Sequence, residues 1–286
     1  MSMTLKPRPR GPQLLQITPG SSFAARQTMA WRDIREAMTL WRFCWSMAVL
    51  DIKIRYRGSM LGPFWLTLST GVMVAAMGTI YSTLFHIEMH DYLPFLAISQ
   101  VLWGYVSVLV SDSCMGYVSS EGMIRSVRMP FTSYAARIVL RNLLILAHNI
   151  VVIVAVDLFM WNFPDPLIAA AAIPALAMWL IDSLAISVLL GAVCARFRDV
   201  PPIVASVMQM AFFITPVIWR PALIGEDQWM LPFNPFFTLL EVLRAPLLGE
   251  IPGPMVYLSA FVSSLALCGV SWALFTRARG RIAFWV

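Results

Sequence analysis

Charge is scarce in this chain. Only 13% of its 286 residues are charged and 59% are hydrophobic, whereas soluble domains carry about a quarter charged residues. A folded core of this length cannot hide so much apolar surface from water, but lipid can cover it. Paired cysteines are missing too. Cys44, Cys114, Cys194 and Cys268 form no C-x-x-C and each lies in or beside an apolar stretch, so they read as small apolar fillers rather than a disulfide or metal framework. Residues 1–30 hold Lys6, Arg8, Arg10 and Arg26 but no apolar core of a secretory signal, which leaves the first long apolar stretch to direct insertion. Catalytic and nucleotide signatures are absent as well: no G-x-x-x-x-G-K-[ST], G-x-S-x-G or H-E-x-x-H occurs. A nucleotide-hydrolysing, serine-hydrolase or zinc-protease reading therefore has no residues to stand on. No internal repeat is visible, which argues against an inverted-repeat secondary transporter. Nucleic-acid binding is excluded for a similar reason, since the net charge of +6 comes without a groove-reading or base-stacking module.

What is present is a sorted distribution of basic residues along six apolar stretches. All 21 Lys and Arg except Arg220 and Arg244 fall on the N-terminal arm, two alternate loops and the C-terminus. Basic residues beside spans stay on the cytoplasmic side, so the pattern predicts an even number of crossings with both termini inside. The expected fold is an all-α membrane protein of the inner membrane. A basic, proline-rich arm (1–30) leads to an amphipathic interface helix (31–57). Six spans over 58–286 follow, at about 62–86, 92–116, 134–160, 167–195, 201–219 and 254–276. In the interface helix Trp31, Ile34, Met38, Trp41, Trp45, Ala48 and Ile52 follow helical spacing, while Arg32, Asp33, Arg35, Glu36, Thr39, Arg42 and Lys53 occupy its other faces. That pattern suits a helix lying among headgroups. Residues 220–253 are semi-apolar for an outer loop and predict short helices returning toward the membrane, packed on protein.

Candidate chemistry is sparse. His86, Glu88, His90 and Asp91 cluster in an outer loop, but two histidines without a third ligand at typical spacing are ordinary polar residues. Asp182 is the acid deepest in a span, with Asp112 and Asp157 nearer span ends. A lone intramembrane carboxylate is costly and marks either a path residue or a helix-to-helix hydrogen bond, with His148 as a possible partner. Aromatic residues number 17 Phe, 11 Trp and 7 Tyr. Trp65, Tyr81, Trp103, Tyr105, Tyr117, Phe212 and Phe213, with Asp182, are candidates for lining a conduit, because aromatic faces suit the C–H surface of sugar rings. Gly58 and Gly62 form a G-x-x-x-G at the start of the first span, where a tight turn is the better reading than a dimer seam.

Four stretches together resemble the membrane subunits of type-2 ABC exporters. DIKIRYRGSMLGPFW (Asp51–Trp65) is similar to their junction between interface helix and first span. SSEGMIRSVRMP (Ser119–Pro130) is similar to their first cytoplasmic loop, with Met129 where the family usually has Phe. RFRDVPPIVASVMQMAFFITPVIW (Arg196–Trp219) is similar to their fifth helix, and RIAFWV (Arg281–Val286) resembles the tail of exporters of O-antigen and related polysaccharides. The resemblance implies a half-channel that pairs with a second copy of itself. Two separate ATPase subunits would dock below it and carry ATP and magnesium, so that this chain is no enzyme and binds no cofactor. Glu121, Gly122, Ile124, Arg125, Arg128 and Pro130 would form the coupling element. Arg55, Tyr56, Arg57, Gly58 and Gly62 would gate the entry of a lipid-linked glycan and meet its diphosphate. The competing readings are an exporter of a drug or small lipid, a secondary transporter, and a membrane transferase; the last needs clustered catalytic groups that the chain lacks.

Overall fold

A computed structural model describes residues 22–59, 62 and 64–286, apart from the side chain of Asp227. Most of the arm expected over 1–30 lies outside the described residues. Among the described residues the secondary structure is helical throughout, without strands. Five elements are long and apolar enough to cross a membrane: α3 (Phe64–Phe85), α4 (Met89–Met115), α6 (Phe131–Met160), the pair α7 (Pro166–Ala169) and α8 (Ala172–Arg196), and α11 (Pro254–Ala278). These lie within a few residues of the first, second, third, fourth and sixth expected spans. Their starts follow ordinary capping rules. Asp165 accepts a hydrogen bond from Leu167 N at 2.8 Å with Pro166 in the first turn, and Pro254 opens α11.

The fifth expected span differs. Helix α9 (Val200–Ile214) has 15 residues, about 22 Å of helix against the roughly 30 Å of a hydrocarbon core. It stops because Thr215 precedes Pro216. A residue before proline is pushed out of the helical region, and Thr215 is extended at φ −86°, ψ 137°. The chain continues as a 3₁₀ stretch (Pro221–Phe233), kinked at Gly225, and then α10 (Pro235–Leu247), whose start is capped by Asn234 Oδ1 accepting from Phe236 N and Phe237 N. The expected short helices between the last two spans are therefore present. Helix α10 buries Phe237, Leu240, Val242 and Leu243 against α4, α8 and α11.

The interface segment also departs from a single helix over 31–57. It is two helices, α1 (Phe23–Thr39) and α2 (Trp41–Arg55), broken at Leu40, and α1 begins inside the region expected to be arm. Their inward face is made of small residues, Ala30, Ala37, Cys44 and Ala48, together with Asp33. Met38, Trp41 and Trp45 point away from the bundle, 44–70% exposed, while Trp31 lies edge-on to Trp272 of α11. Large apolar groups outward and small ones inward is the order lipid contact favours, because packing against protein needs close approach while lipid rewards bulk.

The core of the bundle is α4, the most enclosed of the long helices, packed on α3, α6, α8, α9 and α10. A second cluster closes the basic end. Tyr117, Tyr134, Ala192, Phe275, Ile282 and Val286 bring together the ends of α6, α8, α11 and the short α12 (Ile282–Trp285).

Candidate functional site

The basic end is built on two carboxylate centres, one buried and one half-buried. Asp33 on α1 is fully enclosed. Its carboxylate accepts from Phe131 N at 3.3 Å, Thr132 N at 3.0 Å and Thr132 Oγ1 at 2.8 Å, so it caps α6 from another helix. The same carboxylate pairs with Arg279 Nε at 2.8 Å, just beyond α11. Asp33 was expected on an outer polar face of the interface helix. It is inside because four donors converge on it there, an arrangement with a sequence separation of about a hundred residues that no local pattern announces.

The second centre joins α2, α4 and α6. Asp51 binds Arg137 through both of its oxygens, with Nε at 2.7 Å, and Arg141 Nη1 at 3.4 Å. Arg141 Nη2 then bridges to Asp112 at 2.8 Å, which also accepts from Asn142 Nδ2 at 3.0 Å and faces Arg55 Nη2 at 3.9 Å. Asp51 and Arg141 were not singled out from the sequence as site residues. The available signal was a pair of arginines four apart at the start of an apolar span, where charge is expensive unless paired.

The residues expected to gate entry sit at the edge of this network. Arg55 ends α2, Tyr56 is half-buried, and Arg57 is exposed. Gly58 (φ 85°) and Gly62 (φ 54°), between α2 and α3, both take left-handed backbone, which glycine adopts without steric cost.

The loop expected to couple forms a 3₁₀ turn (Val118–Ser120) and α5 (Glu121–Ser126). Glu121 and Arg125 pair at 2.8 Å, and Arg125 Nη2 also donates to the Val286 oxygen at 2.8 Å. Ile124, Met123 and Met129 rest on the cluster at the basic end, Gly122, Arg125 and Arg128 are exposed, and Pro130 is the buried cap residue of α6. The tail is thus part of this surface: Trp285 lies 5.7 Å from the Arg196 guanidinium, and Ile282 is fully buried. Burial raises the Tyr117 phenol well above its ordinary value, with the nearby Asp33 carboxylate adding to it. Burial likewise raises the Cys44 thiol, which keeps it uncharged and unreactive.

The aromatic candidates do not form one group. Trp103, Tyr105 and Asp182 line a cavity of about 360 Å³ between α4, α8, α9, α10 and α11, and Phe212 packs on Trp103 beside it. Tyr105 stacks on Trp179 and shares a 2.8 Å hydrogen bond with Ser183. Tyr81 belongs to a separate cluster with Phe85 and Tyr92. Tyr117 is enclosed at the basic end, with its ring 3.0 Å from where a Cβ on Gly191 would stand. Trp65 and Phe213 are exposed on α3 and α9. The partner of Asp182 is not His148, whose Nδ1 lies 2.6 Å from Leu144 O on its own helix. It is Ser264 on α11, which donates to Oδ1 at 2.6 Å, with Cys268 Sγ at 3.9 Å. At the opposite end His90 Nδ1 is 3.3 Å from Asp91, and among the described residues no three His, Cys, Asp or Glu gather as a metal site. There the two isolated arginines converge on one ring, Phe95, with Arg244 4.4 Å and Arg220 5.3 Å from its centroid.

Around α4, one face stays open. Gln100, Gly104, Ser107 and Ser111 repeat at helical spacing on the side that is not buried. Gln100 Nε2 reaches Met73 of α3, and Trp103 packs on Phe212 of α9. The stripe therefore lies between the contacts that α4 makes with α3 and with α9.

No family model matches the chain. It is similar to a protein of Myxococcus xanthus named O-antigen export system permease protein RfbA, 24% identical over 207 residues, covering 70% of this chain and 78% of the relative. Two proteins of the same name from Klebsiella pneumoniae are 23% identical over 192 residues (66% of this chain, 74% of the relative) and 21% identical over 235 residues (82% and 90%). The chain resembles O-antigen export permeases over most of its length. These relatives agree with the resemblance carried by the four motifs.

Proposed function

We propose that this chain is the transmembrane subunit of an ATP-driven exporter that moves lipid-linked O-antigen polysaccharide from the cytoplasm to the periplasm of a bacterium. It spans the inner membrane six times, α9 and the segment after it completing the fifth crossing, with both termini cytoplasmic. Two copies pair so that the open sides of their α4 helices face each other.

The observation that carries the reading is the stripe Gln100, Gly104, Ser107 and Ser111. The most enclosed helix of the bundle leaves one face open, and that face is half polar. Lipid penalises such a face, whereas a wet conduit for a hydroxyl-rich polymer uses it. The absence of a phosphate-binding loop from the sequence supports a separate ATPase chain that would carry ATP and magnesium.

Force enters through α5. Its exposed Gly122 and Arg128 meet the ATPase, while Arg125, paired with Glu121, ties the helix to the tail and Ile124 rests on the cluster above it. Motion of α5 passes through Pro130 into α6, whose first turn Asp33 clamps to α1 and to the end of α11. At the entry, a lipid diphosphate competes with Asp112 for Arg55 and meets Arg57 in the open. Arg244, buried, and Arg220, half-buried, converge on Phe95 and fix the outer segment before α10, which acts as the periplasmic gate.

Co-purification tests this reading. The tagged chain is expected to bring down a nucleotide-binding subunit whose hydrolysis is stimulated by lipid-linked glycan. Transport by the isolated chain under an ion gradient alone would instead establish a secondary transporter.

A further inference from the structure

The cavity of about 360 Å³ holds a carboxyl group with one unpartnered oxygen. Asp182 is 7% exposed, and Ser264 and Cys268 approach only its Oδ1. Its Oδ2 is buried without a hydrogen-bond partner. Asp182 is in no salt bridge among the described residues. The walls around it are aromatic: Trp103, Tyr105, Trp179 and Phe236. The ring donors next to it are already spent, since Trp179 Nε1 donates to Leu239 O at 2.6 Å and the Tyr105 hydroxyl is bonded to Ser183. Ser263 on α11 also lines the cavity, and its hydroxyl makes no hydrogen bond to Oδ2.

We propose that this cavity is a binding site for a small lipophilic organic cation, an ammonium group on a compact apolar body. Three features converge on that class. An isolated buried carboxylate calls for a positive partner. Aromatic faces attract a cation that has left water. An otherwise apolar lining accepts a hydrocarbon body and offers a neutral polyol too few partners. Ile203 and Val207 on the α9 side are exposed, so the cavity is reached from that flank of the bundle. The site stands apart from the glycan reading, because occupancy requires neither ATPase nor polysaccharide.

The test is equilibrium binding of adamantan-1-amine to the purified full-length chain in detergent, corrected for protein-free micelles, with adamantan-1-ol as the uncharged isostere. The expected result is saturable binding of the amine, at least tenfold tighter than the alcohol, and weakened at least tenfold by Asp182→Asn. Leu267→Trp fills the cavity without removing Ser264 or Cys268, and it is expected to abolish amine binding. It decides the matter should Asp182→Asn fail to fold. Absence of saturable amine binding, equal affinity for the alcohol, or unchanged binding in Leu267→Trp overturns the proposal. So does a co-purified acyl chain that the amine does not displace.

Discussion

Single residues carry more of this architecture than their number suggests, and Asp33 is the clearest case. Its carboxylate replaces the missing first-turn acceptors of α6 and neutralises Arg279. Replacing it with alanine leaves two helix-start N–H groups and a guanidinium without their acceptor. Lost caps cost about 1 kcal/mol and broken buried ion pairs about 3–5 kcal/mol. Because Arg279 keeps 27% of its side chain exposed and recovers some hydration, about 2–4 kcal/mol is the expected loss. Asp33→Ala should lower the melting temperature of the purified protein by roughly 5–15 °C, and Asp33→Asn, which keeps the shape and one acceptor, by less. An Asp33→Ala protein that melts within a degree of the parent would remove the clamp from the account. Arg244 follows the same logic at the other end. It is 1% exposed, yet Glu241, Ser99 Oγ and the Pro216 carbonyl take its protons while Phe95 covers its plane. A charge that stood out in the sequence as one of two exceptions to the basic sorting is thus a packed structural group.

Elements were legible in the sequence in proportion to how local their causes are. The five long spans followed from runs of apolar residues, and their ends from Pro166, Pro254 and the charged residues flanking them. The length of α9 was not, because hydropathy continues through Val217 and Ile218 while Thr215–Pro216 ends the helix sterically. The break at Leu40 had no proline or glycine to mark it. Of the candidate sites, Glu121–Ser126 is a short helix and Gly58 and Gly62 have the left-handed backbone that glycine allows, both local features, whereas the Asp51–Arg137–Arg141–Asp112 network joins three helices across gaps no periodicity reports. The coupling element supplies the prediction at this scale. Glu121 and Arg125 form an exposed i,i+4 pair, worth only about 0.3–0.5 kcal/mol, so Glu121→Gln with Arg125→Gln should leave insertion and melting unchanged. The same change releases α5 from Val286. Export of surface glycan is expected to fall at least tenfold at normal protein abundance, read by immunoblot of both. Normal glycan in that double variant would take the coupling role away from α5.

At the scale of the whole molecule, the question is which exposed surface meets lipid and which meets water, and the two differ in composition. The outward side of α6 presents Val151, Val154 and Leu158, all apolar and 50–60% exposed. The open side of α4 presents Gln100, Ser107 and Ser111 beside Val108 and Met115, so it is half polar. A bilayer does not hydrate a thiol for reaction, whereas a conduit does, so thiol chemistry separates the two surfaces. The native cysteines give a low background, since Cys44, Cys114 and Cys194 are buried and Cys268 is half-buried beside Asp182. In membranes carrying the complete exporter, a charged, membrane-impermeant thiosulfonate should modify Ser107→Cys and Ser111→Cys at least tenfold faster than Leu158→Cys. Modification at Ser107 or Ser111 should also stop export, because an added anionic group on the stripe narrows the path and repels a diphosphate-bearing chain. Equal rates at all three positions would mean that the stripe faces lipid or another helix, and the conduit would have to be sought on a different side of the bundle.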